Sequence, residues 1–97
     1  MHKIVINKSH NTYWPSNHVS KYLFDNFGID NAYQLSRHDH RLVEAVQYCI
    51  DNHLNTGNDG SRLKLVEINC DQYIIRDHDN SESVLTPDKL NWIKIGE

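Results

Sequence analysis

The chain has no disulfide framework, no concentrated basic face, no long apolar run and no glycine-rich phosphate loop, and each absence removes a class of function. Only two cysteines occur in its 97 residues. Cys49 falls on the apolar side of a helical pattern, where a free thiol behaves as a small hydrophobe. Cys70 sits in a polar turn, and nothing in the spacing supports a bridge between the two. Lys and Arg number 10 against 13 Asp and Glu, a net charge of -3. Binding phosphate backbones needs clustered cations, and the densest pair here is Arg37 and Arg41, so general nucleic-acid binding is not expected. Seven histidines would move the balance toward zero or positive near pH 6. Met1 leads straight into His2-Lys3-Ile4-Val5-Ile6, too short an apolar run for a signal peptide or a membrane span. The cytoplasm is the expected location, with no membrane association.

What remains is the composition of an ordinary folded domain, 38% hydrophobic and 24% charged. The mean hydropathy of -0.69 reflects Asn, Asp and His in the loops. A chain of this length makes one domain, residues 1–97, with a modest core that needs no staples. No internal repeat or low-complexity tract interrupts it.

Lys3 to Asn7 reads as a short buried strand built on Ile4, Val5 and Ile6. A polar and aromatic loop, Lys8 to Pro15, leads to Ser16, an N-cap for a helix whose Val19, Tyr22, Leu23 and Phe27 share one face. Gly28 ends that helix. After a linker from Ile29 to Ser36, Asp39 caps a second helix with Leu42, Val43, Val46, Cys49, Ile50 and Leu54 on its apolar stripe. Asn55 to Ser61 is a loop. From Arg62 the period becomes two: Leu63 to Ile68 is a strand, Tyr73 to Arg76 its hairpin partner, and Glu82 to Leu85 a third strand of the meander. Thr86-Pro87-Asp88 resembles a helix start, and the tail carries Leu90, Trp92, Ile93 and Ile95.

Segregated helices and strands predict an α+β fold: a small, mainly antiparallel sheet of three to four strands with both helices on one face. The expected core is Ile4, Ile6, Leu23, Val43, Val46, Ile50, Leu65 and Ile75. The apolar tail is more than a small core readily buries, which predicts a homodimer.

Lys3-Ile4-Val5-Ile6-Asn7, Arg37-His38-Asp39-His40 with Leu42, Val43, Glu44 and Val46, Leu63-Lys64-Leu65-Val66-Glu67-Ile68, and Asp79-Asn80-Ser81-Glu82-Ser83 together form a pattern. It resembles a family of small uncharacterised proteins of bacteriophage genomes and prophages. In that family Tyr13 stands at a loop Phe position, and Ser16 before the first helix. The chain departs from it at Asn11-Thr12, where the family has a Gly pair, and at His40, where it has Pro. It also lacks the insert that many members carry between the two helices, and their His-Arg-x-Trp ending. The resemblance implies a phage or mobile-element accessory protein acting in the host cytoplasm.

No catalytic constellation is present, and no enzyme activity is expected. His38 and His40 flank Asp39, and His78 lies between Asp77 and Asp79, but neither has the spacing of a zinc site. No metal and no cofactor are expected. Cys49 is expected to be buried and therefore inert, and Cys70 has the acidic Asp71 beside it rather than an electropositive setting. No nucleophile elbow occurs, and thirteen scattered acids define no paired-carboxylate site.

The suggestive stretch joins a strand end to a helix N-terminus, where free N–H groups and the helix dipole favour anions. Its His10, Asn11, Tyr13, Trp14 and Ser16, with Arg37 as a cationic fork, are the expected ligand-binding residues. The expected function is therefore non-catalytic: sequestering a small anionic, nucleotide-like ligand such as a host defence signal. The alternative is a protein-binding inhibitor or modulator of a host complex.

Overall fold

A computed structural model describes residues 2–87, in the order β1 (His2–Asn7), α1 (Asn17–Phe27), a 3₁₀ turn (Ala32–Gln34), α2 (His40–Asp51), β2 (Leu63–Ile68), β3 (Ile74–His78) and β4 (Ser81–Leu85). The expected fold class is found: two helices and four antiparallel strands in an α+β arrangement. The apolar tail lies outside the described residues, as does Asp88 of the expected C-terminal helix start.

Local chemistry sets the helix ends. Ser16 has extended backbone and its Oγ accepts from the Val19 N–H at 3.2 Å, closing the first turn of α1. Gly28 takes the left-handed conformation, φ 68°, and its N–H returns to the Leu23 and Phe24 carbonyls. Asp39 caps α2 by accepting from the Arg41 N–H at 2.9 Å.

The strands form two ladders, β1–β2 and β3–β4, rather than one meander. β2 was expected to fold back on β3; instead it pairs with β1, from His2 opposite Ile68 to Asn7 opposite Leu63. The hairpin that does form turns on Asp79 and Asn80, with φ 51° and 68°. Positive φ at both central residues is the type I′ geometry that suits strand twist.

The β1–β2 ladder is covered on both faces, which explains the unbroken apolar run of β1. Val5 and Leu63 join Val19, Leu23, Leu42, Val46 and Cys49 of the helices in one core. Ile4, Ile6 and Ile68 face the other way, against Tyr73, Ile75 and Val84 of the second hairpin region. Of the expected core, Ile4, Ile6, Leu23 and Val46 are fully buried, and Val43, Leu65 and Ile75 are half-buried. Ile50 is not core; it is 41% exposed. The buried stripe of α2 is Leu42, Ala45, Val46 and Cys49, and Ile50 lies about 90° round from its centre at ~100° per residue.

Candidate functional site

Three chain segments meet where β1 ends. Asn7 is fully buried and works as a polar hub. Its Nδ2 donates to the carbonyls of Asn11 and Asn80, and its Oδ1 accepts from the N–H groups of Ser9 and Arg62. Its own backbone N–H donates to Glu82 Oε1 at 2.8 Å. The 8–16 loop, the start of β2 and the second hairpin are thus tied to one amide. The sequence marks Asn7 only as the polar end of an apolar strand.

Arg37 enters the same junction from just before α2. Its Nη1 donates to Glu82 Oε1 at 2.6 Å and to the Val5 carbonyl at 3.1 Å, and its Nη2 donates to Glu82 Oε2 at 3.0 Å. The Arg37 Cζ lies 3.5 Å from the centre of the Tyr13 ring, a close cation–π stack. Tyr33 meets Tyr13 edge-on at 5.8 Å and donates from its hydroxyl to the Tyr13 carbonyl. Burial pushes the Tyr13 phenol up to about 12, against the opposing pull of Arg37. Tyr13 Oη is buried without a hydrogen-bond partner among the described residues.

Arg37 and the loop therefore come together as the sequence reading required, but they are engaged with each other. The guanidinium fork holds an internal carboxylate, with side-chain exposures of 21% for Arg37 and 9% for Glu82. One face of Tyr13 is covered by Arg37. Ser16 is buried and spends its hydroxyl on the α1 cap. His10 and Asn11 are exposed, with His10 Nδ1 3.3 Å from the Asp79 carbonyl oxygen. Trp14 keeps an open ring, 44% exposed.

A second region was not anticipated. A cavity of ≈ 630 Å³ runs along the outer face of α2, lined by Lys3, His38, His40, Tyr22, Gln47 and Tyr48 among others. A second, ≈ 540 Å³, lies between α2 and β2, where Ile50, Thr56, Arg62, Lys64 and Leu65 line it. Lys3 and Gln47 line both, so the two meet as one groove following α2. Tyr48 and Ile50 stand in it 43% and 41% exposed. The only sequence signal for this groove was the width of the apolar stripe on α2, which is broader than one buried face needs.

Among the described residues no group of three or more His, Cys, Asp or Glu is placed to hold a metal ion. No helix among them is long and apolar enough to cross a membrane. Comparison with family models, curated proteins and solved structures returns no match.

Proposed function

We propose that the protein is a non-catalytic binding module that docks an extended segment of another protein in the groove along α2. In the phage or mobile-element setting that the sequence resembles, the partner is a host protein, and docking inhibits or redirects its complex. The observation that carries this reading is the groove itself. Its two halves share Lys3 and Gln47, and it exposes Tyr48 and Ile50 beside half-buried Val43 and Leu65. A helix of 12 residues is about 18 Å long, which matches roughly five residues of extended chain. Apolar side chains rimmed by charge are the usual make-up of such a surface.

The second reading is a nucleotide-like anion held by His10, Asn11, Tyr13, Trp14, Ser16 and Arg37. The exposed Trp14 ring favours it as a stacking face. Against it stands Glu82, which already fills the Arg37 fork and which a phosphate would have to displace.

Selection from a random peptide library on the wild-type protein, with Ile50→Asp as counter-selection, tests the first reading. The expected result is a family of peptides that bind the wild type and lose at least tenfold in affinity on Ile50→Asp. Calorimetric binding of a cyclic or linear nucleotide, abolished in Trp14→Ala, would replace it with the second. Sedimentation of the free protein reports whether it forms the homodimer suggested by its apolar tail.

A further inference from the structure

The hydrogen-bond phase of the β1–β2 ladder reveals which groups the groove offers. Val5 directs both its N–H and its C=O away from β2, toward the Arg37 carbonyl at 2.8 Å and the Arg37 guanidinium at 3.1 Å. Val5 stands opposite Leu65, so theirs is a pair without mutual hydrogen bonds. Leu65 must then direct its own N–H and C=O outward, away from β1. The same phase turns Leu63 and Glu67 outward. At Leu63 the outward groups are closed off by one side chain: Thr56 Oγ1 accepts from the Leu63 N–H and donates to its C=O, both at 2.9 Å. At Leu65 and Glu67 no partner is present among the described residues. Two donors and two acceptors, spaced as in a strand, therefore line an open edge beside exposed Ile50.

The charge along this edge is not that of the whole protein. Lys3, Arg62 and Lys64 line the groove here against the single carboxylate of Glu67, in a chain whose net charge is -3. Two such edges brought together would set cation against cation, which disfavours a second copy. An acidic strand meets complementary charge along its length.

We infer that the open edge of β2 is a strand-addition site, and that its occupant is an extended, acidic segment of a partner protein. The inference rests on the groove reading above and gives it a binding mode. The segment pairs with the N–H and C=O groups of Leu65 and Glu67, extending the β1–β2 ladder to three strands. Alternate side chains of the segment reach Ile50 and Leu65 in the groove, while its carboxylates meet Lys64 and Arg62.

The probe is a capped octapeptide alternating valine with aspartate, compared with a valine–lysine counterpart and an acidic version N-methylated at every second residue. Amide hydrogen exchange and ¹⁵N resonances of the full chain are followed by NMR. The acidic peptide should slow exchange at Leu65 and Glu67 at least tenfold, and the lysine and N-methylated peptides should not. Lys64→Glu, at an exposed position that leaves the core untouched, should weaken the acidic peptide about tenfold. Shifts at Gln47 and Tyr48 with unchanged exchange at Leu65 and Glu67 would overturn strand addition but keep the groove. No response to the acidic peptide at millimolar concentration would overturn strand addition as well, leaving the peptide selection to judge the groove separately. Protection of both amides in the free protein, together with a dimer on sedimentation, would replace the acidic partner by a second copy.

Discussion

Replacing Arg37 by alanine removes three hydrogen bonds from the junction at once: two to Glu82 and one to the Val5 carbonyl. It leaves Glu82, 9% exposed, with the Asn7 N–H as its remaining partner in the junction, and it uncovers the Tyr13 ring. Breaking a buried ion pair by deleting one partner costs about 3–5 kcal/mol, because a carboxylate is left desolvated. Arg37 is one-fifth exposed, so water reaches part of the gap and the lower end, about 3 kcal/mol, is expected. In a domain with ~5–15 kcal/mol of stability the variant stays folded but is visibly weakened. At a urea slope of about 1.5 kcal/mol/M the midpoint falls by about 2 M. Circular dichroism during equilibrium urea unfolding reads this directly. The double replacement Arg37→Met with Glu82→Leu, which removes both charges and keeps apolar volume, should lose less than either single change. A cost below about 1 kcal/mol for Arg37→Ala, additive with Glu82→Ala, would mean that the pair is solvated and its guanidinium available. The Arg37 fork would then be free to take an anionic ligand in place of Glu82.

Other perturbations test the surrounding packing and electrostatics. The Arg41 guanidinium, hydrogen-bonded to Asp39, holds that carboxyl at about 2 instead of the usual 3.8. A depressed folded-state value contributes stability that is complete above the unfolded value and lost as the pH falls toward 2. Asp39→Asn keeps the cap but should be less stable than wild type by about 0.5–1 kcal/mol at pH 6, a gap that closes in acid unfolding near pH 2. Tyr13→Phe removes a buried hydroxyl that has no partner among the described residues and keeps the ring under Arg37. Thermal unfolding should find it equal to wild type or up to about 1 kcal/mol more stable, and a loss greater than that would reveal a partner for the hydroxyl. A Cβ on Gly57 would collide with the Ser61 carbonyl, so Gly57→Ala should cost about 1–3 kcal/mol in urea unfolding.

The parts of the fold legible in the sequence are those decided locally. Ser16, Gly28 and Asp39 act within five residues of themselves, and a reader of side-chain chemistry can place them. Strand pairing is not local. Asn69–Gln72 and His78–Ser81 both look like hairpin turns, and nothing near β2 signals that β1, some sixty residues earlier, is its partner. The candidate site divides in the same way. Arg37 beside the aromatic loop was legible as a charge near a helix start. Its pairing with Glu82, 45 residues away and one of 13 acids, was not. The groove along α2 was hidden because Ile50 fits the helical stripe by period, while its exposure depends on where β2 stops covering the helix.

The most direct test of groove binding maps where the tightest library-selected peptide protects the protein, by hydrogen exchange across residues 2–87. Protection concentrated at Lys64 to Ile68 and at Gln47 to Ile50, with the 8–16 loop unchanged, is the expected result. Protection centred on Tyr13 and Trp14, or on the β3–β4 hairpin, would contradict it.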